Sequence, residues 1–299
     1  MELSYTSTLP RQLVHRQYVG EVFLTDYRLS DAGADQIAVQ LPVSHRVFRP
    51  TNQRHDPLIV AESFRQAVMM LCHTKYAVMP HLKFMMEQFG FEIVGELEIH
   101  SAPMPLLLDM TTNQVDTRDG TVSRVDIAGV LREGPRILAH CNAIARCVSP
   151  ASYHRIRAGR DTYIAHFRAR PPGSVAIPAS SVGRSEEQDV LVAVNLPAGE
   201  LYCAPDPRNY ALFDHPLDHI PGMVIFDAAI QALRYRTNDP SLQITRLAAT
   251  FPTFTEWDDT CVVAVSFAPA GREWGQSCVT FAQSERTTAE LDITTTAAS

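Results

Sequence analysis

Three strongly polar residues, Glu62, Arg65 and Gln66, interrupt a mostly apolar stretch between Pro57 and Cys72. On a helix their i, i+3, i+4 spacing puts them on one face, one above another. A carboxylate, a guanidinium and an amide arranged this way could move a proton, hold an anion or orient a carbonyl. The bland alternative is a Glu62–Arg65 pair on a partly wet helix surface, contributing only ~0.2–0.5 kcal/mol. Burying an unpaired charge is far more costly, so these groups must meet one another, water or a ligand. Asp227 and Gln231, 165 residues further on, repeat the carboxylate and the amide, with Ile230 in place of the arginine. Repetition of the pair favours a polar cavity in both places.

The segments ahead of these stretches carry further candidates. Residues 213–222 contain Asp214, His215, Asp218 and His219 just before Pro221 and Gly222. Histidine is suited to proton transfer near neutral pH. The unpaired backbone N–H groups of a helix that begins at Gly222 could hold a thioester oxyanion or a phosphate. The corresponding earlier loop offers Arg46, Arg49, Arg54, His55 and Asp56. A polar turn with Asx-type caps explains either loop alone equally well. Neither a His-Glu-x-x-His nor a Cys-x-x-Cys spacing occurs, so no metal site and no cofactor are expected.

The elements that position these residues also repeat. Residues 57–67 align without a gap on 222–232, and the same register puts Phe48 on Phe213. Upstream, residues 36–42 resemble 190–197 if the second half carries an insertion. Each copy reads as a strand, a polar loop, one helix (about 57–76 and about 222–236) and several β-biased segments. The latter are expected near 89–99, 106–110, 121–131 and 136–147, then near 242–251, 260–267, 274–283 and 289–295. Alternating apolar residues between Val122 and Val130 suit antiparallel strands with one wet face. Pro150–Arg157 reads as a short helix, and the Pro-, Arg- and Ser-bearing stretch 168–188 as an exposed linker. The expected organisation is therefore a first domain over 1–149, a linker over 150–188 and a second domain over 189–299. The first helix is apolar nearly all round, which marks a buried helix. An antiparallel sheet wrapped round such a helix is the hotdog architecture, so the expected class is α+β, a tandem hotdog. Two copies in one chain would pair as hotdog dimers do, giving a monomer or, with further association, a homodimer.

Composition narrows the function. The 299 residues are 45% hydrophobic and 20% charged, with a formal net charge of -7. That is a folded globular composition, without the basic surface expected of a nucleic-acid or anionic-membrane binder. No segment is long and apolar enough to span a bilayer, and the first residues lack the basic and apolar regions of a secretion signal. Six scattered cysteines suit reduced thiols, so a cytoplasmic location is expected.

Several blocks carry a resemblance. The His-rich loop, the Pro-Gly step and the acidic helix resemble β-hydroxyacyl-carrier-protein dehydratases. A fuller likeness, through residues 13–16, 21–25, 55–67, 147–150, Tyr153 and 213–223, is to the A-factor biosynthesis hotdog family, the γ-butyrolactone synthases. That resemblance implies transfer of a β-ketoacyl group from acyl carrier protein to the hydroxyl of dihydroxyacetone phosphate. On this reading Glu62, Arg65, Asp227, His215 and His219 are the catalytic candidates. Gln66, Gln231, Arg54, His55, Gly222 and Met69 would contact substrate, the acyl tail running past Met69, Met70 and Phe64. The family's second helix usually carries a Glu followed three residues later by an Arg. Asp227 and Ile230 depart from that pattern, which makes the first copy the stronger candidate site. Two other readings remain open from the residues. One is a dehydratase or thioesterase, with His215 or His219 as base and Asp227 or Glu62 as acid. The other is a non-catalytic module that binds an acyl thioester or a lactone.

Overall fold

The computed structural model describes residues 2–51, 53–160, 170–268 and 275–296. The chain divides into two compact units, Met1–Ala158 and Gly159–Ser299.

The first unit begins with a 3-10 turn, Arg11–Val14, and a second at Val19–Glu21. Strands β1 (Leu24–Arg28) and β2 (Asp35–Val39) follow, then helix α1 (Leu58–Thr74). Asp56 caps α1, its Oδ1 accepting the Leu58 N–H at 2.9 Å, and Pro57 occupies a position where no N–H is needed. Strands β3 (Lys83–Ile93), β4 (Leu106–Arg118), β5 (Thr121–Glu133) and β6 (Arg136–Val148) complete the sheet, followed by helix α2 (Pro150–Arg157). The strand order is β1-β2-β4-β5-β6-β3, antiparallel throughout. Helix α1 packs against β1, β3, β5 and β6 and is buried nearly all round, as its apolar composition requires. Gly129 on β5 makes the close approach possible: a Cβ there would lie 2.8 Å from the Phe64 ring. Phe64 meets Phe89 edge-on at 5.6 Å, closing the core over the sheet.

The second unit repeats this plan. Strands β7 (Val175–Ala176), β8 (Val192–Asn195) and β9 (Glu200–Cys203) precede helix α3 (Gly222–Thr237). Strands β10 (Gln243–Thr250), β11 (Cys261–Phe267), β12 (Gln276–Gln283) and β13 (Arg286–Thr296) follow. The order is β10-β13-β12-β11-β9-β8-β7, again antiparallel. Read from the opposite edge, this is the order of the first unit with β7 added beside β8. Two copies of one antiparallel sheet, each holding one central helix, form the tandem hotdog.

Two expectations need correction. Residues 190–197 are not the counterpart of 36–42. Strand β8 takes the place of β1, and β9 the place of β2, so the extra residues lie in the first half between its two leading strands. Short apolar runs resemble one another, and only strand pairing separates the alternatives. The stretch 150–188 is not one linker either. Helix α2 belongs to the first unit. Ile177, Ala179, Val182 and Arg184 are buried in the second, where the 3-10 turn Ala179–Val182 packs on α3. Residues 161–169 of that stretch, and Trp274 of an expected strand, lie outside the described residues.

Candidate functional site

Glu62 sits at the centre of the polar stripe of α1 with its side chain 0% exposed. Burial alone would push its carboxyl pKa up. Five contacts outweigh that. Arg65 donates from Nε to Oε2 and from Nη2 to Oε1, both at 2.8 Å. Arg16 donates to Oε1 from Nε at 3.0 Å and from Nη2 at 2.6 Å. Gln66 Nε2 adds a bond to Oε1 at 2.7 Å. The balance of burial against the Arg16 and Arg65 charges and these hydrogen bonds holds the carboxyl at about 2. Glu62 is therefore an ionised anchor. A group so acidic is ionised near neutral pH, so Glu62 is suited neither to give a proton, as the dehydratase reading asks of it, nor to take one. Its two arginines are placed differently: each keeps 15% of its side chain exposed. Among the described residues, one carboxylate faces two guanidiniums, a net charge of +1 that reaches solvent.

Arg16 was not among the residues expected in the site. It follows the 3-10 turn Arg11–Val14 and His15, whose backbone is left-handed at φ 53°. Gln66 ties this leading segment to the helix. Its Oε1 accepts the Phe23 N–H at 3.0 Å and its Nε2 donates to Glu21 O at 2.7 Å. Gln66, expected to contact substrate, is thus buried and bonded to the protein's own backbone. Met69 lies one turn further along the same face, half-buried.

The second unit reproduces the strap residue by residue. The Leu191 N–H donates to Gln231 Oε1 at 2.7 Å, while Gln231 Nε2 donates to Asp189 O at 3.0 Å. Gln231 also reaches Asp227 Oδ1 at 3.1 Å, so it too is an internal strap rather than a substrate contact. A 3-10 turn, a left-handed Gly183 and then Arg184 stand where the first unit has its turn, His15 and Arg16. Arg184 Nη2 pairs with Asp227 Oδ1. With Ile230 in place of a second arginine, Asp227 Oδ2 has no hydrogen-bond partner among the described residues. It is the oxygen that Arg65 serves in the first unit. Both Arg184 and Asp227 side chains are only 3% exposed, so this pair is neutral and sealed.

The signal for Arg16 and Arg184 was present in the sequence. Pro10, Val14 and Arg16 correspond to Pro178, Val182 and Arg184 at a spacing of 168, not 165. A three-residue difference between the leading strands hides the match from an ungapped comparison.

The loop candidates do not join either cluster in the described contacts. His215 Nδ1 lies 3.2 Å from Asp214 Oδ2, and His219 Nδ1 lies 2.8 Å from Asp218 Oδ1. Each histidine is thus held by the aspartate before it, and His219 packs edge-on against Phe254 at 4.8 Å. Arg54 is exposed and paired with Glu96 at 2.9 Å. His55 is buried, and burial, with a smaller contribution from His100, lowers its pKa and favours the neutral imidazole. Gly222 opens α3 after Pro221, with no side-chain cap on the helix N-terminus. Among the described residues no three His, Cys, Asp or Glu side chains converge as metal ligands would, and no helix is long and apolar enough to cross a membrane.

The A-factor biosynthesis hotdog domain matches residues 2–149 and 168–299, one match for each unit. The chain belongs to this family. Over 89% of its length it is 32% identical to the 2-oxo-3-(phosphooxy)propyl 3-oxoalkanoate synthase of Streptomyces virginiae, of which 89% is covered. A synthase of the same name from Streptomyces coelicolor is 28% identical over 87% of this chain and 82% of its own. Among solved structures, an acyl-ACP thioesterase from Bacteroides thetaiotaomicron superposes with a TM-score of 0.51 at 6% identity. The match covers 87% of this chain and 98% of that one, a likeness of fold alone.

Proposed function

We infer that this protein is a 2-oxo-3-(phosphooxy)propyl 3-oxoalkanoate synthase, an acyltransferase that works from its first unit. The acyl donor is a β-ketoacyl thioester carried on acyl carrier protein, and the acceptor is the hydroxyl of dihydroxyacetone phosphate. The hydroxyl oxygen attacks the thioester carbonyl, the C–S bond breaks, and the hydroxyl proton ends on the departing thiol. One observation carries the reading: a single buried carboxylate holds two guanidiniums that reach solvent with an excess positive charge. Guanidiniums preorganised in this way suit a phosphate, which they bind bidentately. Glu62 fixes their planes, and Gln66 fixes the segment that delivers Arg16. On this reading the sealed Arg184–Asp227 pair of the second unit has a structural part.

The test supplies a β-ketoacyl carrier protein, or a short thioester mimic, together with dihydroxyacetone phosphate, and follows ester formation by mass spectrometry. A relative of known activity runs in parallel. Phosphorylated ester that depends on both substrates is the expected product. If the relative makes it and this protein does not, the assignment is wrong. Release of free acid without the acceptor would identify a thioesterase instead.

A further inference from the structure

A histidine pair lies on the same helix stripe, outside the cluster. His73 is seven residues beyond Gln66, about 10 Å along the helix axis. Its Nε2 lies 2.7 Å from Nε2 of His15, and its Nδ1 lies 2.6 Å from Val78 O. A carbonyl can only accept, so Nδ1 of His73 carries a proton. A neutral His73 then accepts the Nε2–H of His15 at its own Nε2. The rings stack with centroids 4.9 Å apart, and Phe84 of β3 stands edge-on to both, at 5.2 and 5.6 Å.

The second unit holds the same segment by other means. At the position of His15 it has Gly183, for which a left-handed backbone carries no strain; a histidine there does carry it. In place of the imidazole contact, Arg234 donates to Val182 O at 3.4 Å and to Leu242 O at 3.2 and 3.3 Å. The imidazole tie is thus found in the unit whose arginines reach solvent.

The described ties that join residues 14–16 to α1 include Arg65 to Val14 O at 3.3 Å, Arg16 to Glu62, and His15 to His73. We propose that His15 and His73 are positioning residues that hold Arg16 in place for phosphate binding. The proposal rests on the phosphate-binding reading above.

Calorimetric titration of the full chain with dihydroxyacetone phosphate at about pH 8 tests the proposal. His15→Gly installs the residue native to the second unit, so the backbone tolerates it. It should bind roughly tenfold more weakly than wild type, the loss of one charge-assisted contact. His73→Gln keeps an acceptor for His15 and should bind within about twofold of wild type, whereas His73→Leu keeps the bulk without the acceptor and should match the loss in His15→Gly. Wild-type affinity in His15→Gly, equal losses in His73→Gln and His73→Leu, or no binding by the wild type would each overturn the proposal. If the binding pattern holds but no ester forms from any thioester donor, the acyltransferase reading fails and the positioning role stands.

Discussion

The two units use one scaffold for opposite ends. In both, a helix glutamine reads the same two backbone groups, a left-handed residue follows a 3-10 turn, and an arginine then reaches a buried helix carboxylate. Within the cluster they differ at two helical positions, Arg65 against Ile230 and, by one methylene, Glu62 against Asp227. Where the second arginine is present, the cluster carries excess positive charge and reaches solvent. Where it is absent, the cluster is neutral and closed, and one carboxylate oxygen has no partner among the described residues. A duplicated fold can therefore keep its internal strap in both copies while only one copy keeps the chemistry that faces outward.

Removing the anchor should have the largest effect. Glu62→Ala leaves two arginines without their counter-charge, one of the costliest changes a core can suffer, about 3–5 kcal/mol. Denaturant unfolding should show that loss, and turnover of the remaining folded protein should vanish. Asp227→Ala frees only one arginine. Folded Asp227→Ala should keep turnover within about twofold of wild type; a hundredfold loss would show that the second unit is also catalytic.

Acid probes the same anchor. The Glu62 pKa is lowered from 4.5 to about 2, so its contribution is fully present above pH 4.5, declines as pH falls, and is gone below about pH 2. That contribution is roughly 3 kcal/mol. Unfolding free energy measured across this window should fall more steeply for wild type than for Glu62→Gln, and equal slopes would contradict the assignment of the anchor.

Copying the second unit's residue into the first sharpens the contrast further. Arg65→Ile should lower kcat/KM by roughly a hundredfold, most of it in the KM for dihydroxyacetone phosphate. The reverse exchange, Ile230→Arg, should do least. It offers Asp227 Oδ2 a donor but adds no open site, so turnover should stay within about twofold. A large gain would mean that the sealed cluster is only one residue from activity.

Much of this was legible before any fold was known. The repeat, the buried helices and the stripe of Glu62, Arg65 and Gln66 follow from residue type and helical spacing, which are local properties. The loss of the arginine at Ile230 is equally plain in one dimension. Other parts were not legible. Gln66 looked like a substrate contact because nothing local distinguishes an amide that meets a ligand from one that meets Phe23 and Glu21. His215 and His219 are candidates by residue type, and only the fold shows that each is set against the aspartate before it and makes no described contact with either carboxylate cluster. Arg16 and Arg184 were hidden by a change of spacing between the leading strands.

Sequence alone settled which groups each helix presents, because a helical face depends only on spacing along one chain segment. Tertiary structure decided which charges those groups meet, since Arg16 is 46 residues from Glu62 and Arg184 is 43 from Asp227. The same folding decided whether each cluster faces solvent. Burial is set by what the whole sheet packs over a side chain, and no local pattern carries that information.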